Sequence, residues 1–170
     1  MRVRRRDDGD VPAPDTAWDE IVPGLWMGGH AFFRPETGLE LAVVRDEFDV
    51  VLSLLRRPGH GPPPGVEHHV HEIPDAPLDE AQVDGVIRLA EIAQLSLGLG
   101  RSVLVRCHSG YNRSGLVVAH TLIRSGRTPE EAIALVRQRR SRWALHNPVF
   151  EEYLDTGLDV VRLLAGLSEP

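Results

Sequence analysis

The sequence of 170 residues contains no lysine, a single cysteine, only 5% aromatic residues and no long apolar run. One cysteine excludes an internal disulfide, and no segment approaches the ~18 consecutive apolar residues that a transmembrane helix requires. The basic start, M-R-V-R-R-R, is not followed by an apolar stretch, so no signal peptide is predicted. These absences predict a protein of the reducing cytoplasm that has no membrane partner.

The charge balance is acidic although the chain has many arginines. All 19 basic residues are arginine, against 25 acidic residues, which gives a formal net charge of −6. An acidic balance argues against a nucleic-acid partner, because such proteins normally carry a basic face. The exclusive use of arginine is typical of the composition bias of a GC-rich bacterium. An arginine is therefore weaker evidence of function here than in other proteins.

Apolar runs of strand length alternate with helical patterns along the chain. Residues 1–17 carry charges and prolines with few apolar residues, and we predict a disordered tail there, followed by a single domain over 18–170. Strands are predicted within 18–29, 49–55, 66–73 and 102–107, and helices within 39–48, 80–97, 114–125, 129–140 and from Asn147 onward. This order predicts an α/β fold with a mostly parallel central sheet of about four to five strands flanked by helices.

The only cysteine lies in the stretch V-L-V-R-C-H-S-G-Y-N-R-S-G (103–115). Cys107 ends a predicted strand and Arg113 begins the next helix, while Gly110 allows an unusual backbone angle between them. A loop at a helix N-terminus points its N–H groups inward and binds anions, and an arginine there can bind two phosphate oxygens. The candidate substrate-binding residues are therefore His108, Ser109, Gly110, Tyr111, Asn112 and Arg113.

The positive electrostatic potential that binds a phosphate in this loop also favours the ionised form of a thiol. Cys107 is therefore predicted to be a nucleophile that attacks phosphorus. Ser114 can donate a hydrogen bond to the sulfur when the intermediate breaks down. The departing oxygen needs an acid, and the candidates are Asp75 and Asp79, in the loop after the preceding strand. Asp79 is a good helix cap, with Gln82 three residues later, which leaves Asp75 as the preferred acid.

The segment C-H-S-G-Y-N-R-S matches C-x5-R-[S/T], the signature of the cysteine-dependent protein tyrosine phosphatases, and the layout resembles their dual-specificity branch. I-V-P-G-L-W-M-G-G resembles the entry strand of that branch, and I-P-D (73–75) resembles the acid loop. T-P-E-E-A-I-A-L-V-R-Q-R-R followed by N-P-V-F-E-E-Y-L resembles the two closing helices, so the resemblance covers about residues 18–156. It implies a hydrolase that needs no metal or cofactor and forms a cysteinyl-phosphate intermediate. The implied substrate is a phosphorylated protein or peptide, with phosphotyrosine first and phosphoserine or phosphothreonine in addition.

By this resemblance Cys107 is the nucleophile, Arg113 the phosphate clamp, Ser114 the thiolate partner, and Asp75 the acid and then the base. Arg106 is a departure, because the family usually has a histidine directly before the cysteine. The segment G-Y-N-R-S-G also resembles the G-x-N-R-T-G of RNA 5′-phosphatases. An RNA 5′-phosphate, phosphoinositide or sugar phosphate substrate remains an alternative, as does a non-catalytic phosphate-binding module.

Two further clusters and three aromatic or apolar side chains complete the predictions. His68, His69 and His71 cannot all face the same side of a strand, which favours solvated histidines over a metal site. A solvated helix face is preferred to a docking patch for the arginines at 137, 139, 140 and 142. Trp143 and Leu145 are predicted to pack the last helix, and Tyr111 either lines the pocket rim or covers the loop.

Overall fold

A computed structural model describes residues 11–168 of the chain. Its strands are β1 (Trp18–Val22), β2 (Leu25–Gly28), β3 (Ala31–Arg34), β4 (Gly38–Leu41), β5 (Val50–Ser53), β6 (Glu67–Val70) and β7 (Val103–Arg106). Its helices are α1 (Glu80–Gly98), α2 (Arg113–Arg124), α3 (Pro129–Arg139), α4 (Pro148–Thr156) and α5 (Leu158–Ser168). None of the helices within 11–168 has both the length and the apolar character needed to cross a bilayer.

Five strands form one sheet in the order β1-β2-β7-β5-β6, and β3 pairs with β4 in a separate hairpin. Within the five-stranded sheet only β1 runs antiparallel to its neighbour. The prediction of an α/β fold with a mostly parallel sheet is therefore confirmed. The register aligns Gly28, Arg106 and Ser53 at the carboxyl ends of three adjacent strands. The residue that follows Arg106 is Cys107, so the candidate nucleophile lies at this edge of the sheet.

The central strands are buried on both faces, as their continuous apolar runs predict. Val103 and Val105 of β7 belong to the main core, together with apolar residues of α1 and α2. Leu104, which points to the opposite face, packs in a smaller cluster with Val51 and Phe48. The strand that precedes Cys107 is therefore held rigidly from both sides.

The predicted cap of α1 is confirmed. The Asp79 carboxylate accepts a hydrogen bond from Gln82 N at 2.8 Å, and Gln82 Oε1 accepts one from Asp79 N at 2.9 Å. Thr128 and Glu131 form the same reciprocal arrangement at the start of α3. Each cap satisfies N–H groups that have no partner within the helix, which explains where these two helices begin.

The helix predicted within 39–48 is wrong. The segment contains most of β4, and no helix follows it. From the end of β4 onward, Leu41 and Val43 are exposed while Ala42 and Val44 are buried. This alternation has the two-residue period of an extended chain rather than the 3.6-residue period of a helix. Pairing with β3 outweighs the helix propensity of the leucines and glutamates.

Two other predicted elements are divided by glycines in the left-handed region. The single strand expected within 18–29 is a hairpin of β1 and β2 that turns at Gly24, with φ of 84°. The last helix is divided into α4 and α5 at Gly157, with φ of 95°. Both parts bury apolar residues: Phe150, Leu154, Leu158 and Val161.

The structure corrects the predicted disordered tail for residues 11–17, while residues 1–10 lie outside the described range. Val11 and Ala13 are buried. The Pro12 carbonyl accepts a hydrogen bond from the Tyr111 hydroxyl at 2.8 Å, and the Pro14 carbonyl accepts one from Phe33 N at 2.7 Å. Few apolar residues are enough here, because the segment is fixed by its backbone carbonyls.

Candidate active site

The loop 107–113 joins β7 to α2. Cys107 is 2% exposed, and its backbone N–H donates to the Gly28 carbonyl at 3.3 Å. The Cys107 Sγ lies 3.3 Å from the Ser114 Oγ, in the first turn of α2. The end of β7 and the first turn of α2 thus bring the Cys107 sulfur to the Ser114 hydroxyl, the contact that the sequence analysis predicts.

The backbone carbonyls of residues 108–112 all accept hydrogen bonds from groups outside the concave face of the loop. The donors, in order, are His30 N, Arg140 Nη2, Arg140 Nε, Leu145 N and Leu116 N, at 2.8, 2.9, 3.1, 3.1 and 2.8 Å. In a trans peptide the N–H points opposite to the carbonyl, so the N–H groups of residues 109–113 point to the inner side. Inward N–H groups at a helix N-terminus form an anion-binding concavity.

Gly110 is required at the centre of this loop. Its φ is 74°, in the left-handed region that residues with a Cβ rarely adopt. A Cβ at this position would lie 2.4 Å from the carbonyl carbon of Gly28 and 2.6 Å from Arg140 Nη2. The sequence-based expectation of an unusual backbone angle at Gly110 therefore agrees with the structure.

Arg140 fixes the loop from behind, a role that the sequence did not reveal. Its side chain has no exposed surface and donates to the carbonyls of Ser109 and Gly110. Its Nη1 also donates to Asp19 Oδ2 at 2.9 Å and to the Thr16 carbonyl at 3.0 Å. The prediction of a solvated helix face is therefore wrong for Arg140.

We expect Arg140→Ala to lower the free energy of unfolding by about 3 kcal/mol, because buried carbonyls and Asp19 lose their donor. Loss of loop geometry should also lower kcat/KM by about 10²-fold. Urea unfolding and aryl phosphate hydrolysis would measure the two effects. The exposed neighbour Arg139 provides the control, since Arg139→Ala should change stability by less than about 0.5 kcal/mol. Equal effects of the two substitutions would contradict the assignment.

Arg113, the first residue of α2, has a guanidinium that is only partly hydrogen-bonded. Its Nη1 donates to the Ile73 carbonyl at 3.4 Å, and within residues 11–168 its buried Nε has no hydrogen-bond partner. A buried donor without an acceptor costs free energy, which a bound phosphate oxygen would recover. The position fits the predicted phosphate clamp.

Asp75 is held against the 107–113 loop by two amides. Its Oδ2 accepts from Asn112 Nδ2 at 2.9 Å, and its Oδ1 accepts from Asn147 Nδ2 at 2.7 Å. Asn112 Oδ1 in turn accepts from Asn147 N at 3.0 Å. The structure thus brings Asp75 to the loop that contains Cys107, whereas Asp79 is the cap of α1. From the sequence, Asn147 could be identified only as a helix cap, which it also is.

The other predicted binding residues have little exposed surface. Ser109, Tyr111 and Asn112 are each 2% exposed. Tyr111 covers the outer side of the loop and does not line a rim, because its hydroxyl donates to Pro12 O. His108 is half-buried, and its Nδ1 lies 3.0 Å from Arg57 Nη2.

Arg106, the residue directly before Cys107, anchors a neighbouring loop. Its Nε donates to Ser53 Oγ at 3.1 Å and its Nη1 to the His60 carbonyl at 2.8 Å, while its Nη2 donates to the Gly61 carbonyl. Burial lowers the pKa of Arg106 to about 10, so the side chain stays charged at neutral pH. Burial and this nearby charge lower the pKa of His30 to about 3. Arg106 therefore brings a fixed positive charge to this end of the sheet.

Two histidines lie in β6 and a third, His71, directly follows it. Their side chains have different neighbours, as the strand geometry predicts. His68 Nε2 lies 2.8 Å from Ser53 Oγ, and His69 Nε2 lies 3.8 Å from a Glu67 oxygen. The His71 ring packs on Gly85, so close that a Cβ there would overlap it. Across residues 11–168, no group of three or more histidine, cysteine or acidic side chains has the arrangement of a metal site.

Sequence comparisons and structure comparisons give different results for this chain. No family sequence model and no curated protein sequence matches it. Solved structures do match, among them human DUSP28, with a TM-score of 0.66 and 19% identity over 89% of this chain and 97% of that chain. The structure of Tk-PTP in the active form gives a TM-score of 0.64 and 23% identity over 82% and 95%. PTPMT1 in complex with PI(5)P gives a TM-score of 0.65 and 17% identity over 88% and 99%. The chain thus has the fold of dual-specificity phosphatase structures, which confirms the resemblance at the level of the fold.

Proposed function

We propose that this protein is a metal-independent phosphatase that hydrolyses phosphomonoesters through a cysteinyl-phosphate intermediate. The observation that carries the proposal is the geometry of the 107–113 loop. Five consecutive carbonyls are turned away from its concave face, and the Cys107 sulfur lies beside the Ser114 hydroxyl. A phosphate bound by the inward N–H groups and by Arg113 is then presented to the sulfur for in-line attack.

The reaction has two balanced steps. In the first, Cys107 Sγ forms a bond to phosphorus and the bond to the ester oxygen breaks, while Asp75 gives its proton to that oxygen. In the second, the Asp75 carboxylate takes a proton from water, and the water oxygen attacks phosphorus. The sulfur–phosphorus bond then breaks, and Ser114 donates a hydrogen bond to the departing thiolate. The two amides that hold the Asp75 carboxylate keep the base in place for the second step.

Protein phosphotyrosine, with phosphoserine or phosphothreonine in addition, is the substrate class that we propose. The net charge of −6 disfavours RNA and anionic membrane surfaces as substrates, because both repel an acidic protein. A non-catalytic phosphate-binding module has no use for an acid, yet Asp75 is held at the loop together with Cys107 and Ser114. This arrangement favours an enzyme over a binding module.

A direct assay tests the proposal. The wild-type protein should hydrolyse an aryl phosphate and a phosphotyrosine peptide at the same rate with and without EDTA. Faster turnover of an RNA 5′-triphosphate or a phosphoinositide than of the peptide would overturn the substrate class. Phosphate binding without turnover of any ester would indicate a binding module, and loss of turnover in EDTA would indicate a metallophosphatase.

A further inference from the structure

A cavity of about 540 Å³ lies beside the catalytic loop, formed by the chain between β5 and β6. Its polar side chains are all cationic or imidazole: Arg56, Arg57, His68 and Arg106. Of the described residues, none with a carboxylate, amide or hydroxyl side chain lines this space, and the remaining lining is leucine, valine, proline and glycine. We call it the arginine cavity. The lining is thus positively charged, although the net charge of the whole chain is −6.

The arginine cavity adjoins the proposed phosphate site. Arg57 lines the cavity, and its Nη2 lies 3.0 Å from Nδ1 of His108, the residue directly after Cys107. Arg57 therefore lies between the arginine cavity and the proposed phosphate site. An anionic group in the cavity and a phosphate in the loop would both lie within reach of its charge.

The cavity is held in shape by buried contacts. Arg106 donates to the carbonyls of His60 and Gly61, and the His60 carbonyl also accepts from Val44 N at 3.0 Å. A Cβ on Gly61 would overlap the Val44 carbonyl, so the loop packs closely on that segment. Within residues 11–168, no ion pair involves Arg56, Arg57 or Arg106. Among the described residues these three guanidinium groups therefore form no ion pair, and the one carboxylate hydrogen-bonded to this segment, that of Glu72, accepts from the Arg56 backbone N–H at 3.0 Å.

The lining also indicates which chemistry the cavity accommodates. Sugar and inositol hydroxyls donate hydrogen bonds as well as accept them, but among the described lining residues His68 is the only side chain with an acceptor atom, and Arg106 already occupies two loop carbonyls. An anionic end on a short apolar stem fits both the arginines and the apolar surface of Leu55 and Val70.

We infer that the arginine cavity binds a second anionic group of a peptide substrate, a phosphate or carboxylate on a residue that neighbours the phosphorylated one. The inference rests on the proposed function, because the first phosphate is the one bound by the Cys107 loop. It adds a specificity site that prefers doubly anionic peptides.

The test compares two peptides that differ only in a second phosphorylated residue next to the phosphotyrosine. The wild-type protein should show a higher kcat/KM for the doubly phosphorylated peptide, and Arg57→Glu should reduce this preference by about tenfold, since it removes a charge-assisted contact and adds repulsion. Salt should reduce the wild-type preference, because the cavity is open to solvent. Arg127→Glu, an equal charge change in the exposed turn after α2, should leave the preference unchanged.

Three outcomes would overturn the inference. Equal losses for both peptides in Arg57→Glu would mean that Arg57 only positions the loop through His108. The same loss of preference in Arg127→Glu would mean a general charge effect, and a stronger preference for an inositol bisphosphate would mean a different ligand class. The Cys107→Ser protein separates this site from the proposed function, because binding of both peptides can be measured by anisotropy without turnover. If the wild type hydrolyses no ester and Arg57→Glu still weakens binding of the doubly phosphorylated peptide, only the proposed function fails.

Discussion

Cys107→Ser should lower kcat for an aryl phosphate by about 10⁴-fold or more, because a serine hydroxyl at this position is not ionised and has no base to activate it. Cys107 is 2% exposed, and its sulfur lies 3.3 Å from the Ser114 hydroxyl, which can donate to a thiolate but cannot accept a proton as a base would. The nucleophile therefore depends on the thiol itself. Single-turnover assays of wild-type and variant protein at equal concentration would measure the loss.

The fold and the anion site of Cys107→Ser should remain intact, because sulfur and oxygen differ little in size. Thermal unfolding and binding of inorganic phosphate, both measured on the variant, provide this control. A variant that binds phosphate normally and retains more than about 1% of wild-type turnover would contradict the nucleophilic role, since loss of a covalent nucleophile costs far more than this.

The strand–loop–helix geometry around Cys107 could be predicted because its parts are consecutive in the chain. Cys107, Gly110 and Arg113 lie within seven residues of sequence, between an apolar strand and a helix that are both recognisable by their patterns. In such a loop the backbone itself forms the binding site, so local sequence fixes most of the geometry. The parallel sheet was predictable for a similar reason, since β5 and β7 are short apolar runs that need burial on both faces.

The residues that support the loop could not be predicted, because their role depends on where distant segments meet. Arg140 is 30 residues beyond Gly110 and lies among other arginines at the end of α3, a pattern that a solvated helix would share. Asn147 has the sequence signature of a helix cap, and nothing in the sequence shows that its amide also reaches Asp75. The helix predicted for 39–48 was also wrong because of a contact with another segment. The residues of 39–48 favour a helix, but pairing with β3 decides their conformation.

Asp75→Ala should mainly lower activity and Asp79→Ala should mainly lower stability, and together the two variants identify the acid. Asp75→Ala should lower kcat by about 10²- to 10⁴-fold for phenyl phosphate, whose leaving group needs a proton, and much less for 4-nitrophenyl phosphate. Pre-steady-state and steady-state rates with both esters would measure these changes.

Asp79→Ala should instead lower the free energy of unfolding by about 1 kcal/mol, through loss of the N-cap of α1, and leave the discrimination between the two esters intact. When Asp75 is removed, Asn112 Oδ1 still accepts from Asn147 N, and Asn112 Nδ2 still has His146 Nε2 at 3.1 Å. The pair therefore separates catalysis from stability at two aspartates only four residues apart. If Asp79→Ala abolished the dependence on the leaving group while Asp75→Ala only lowered stability, the acid would be Asp79 and the contact between Asp75 and the loop would be structural.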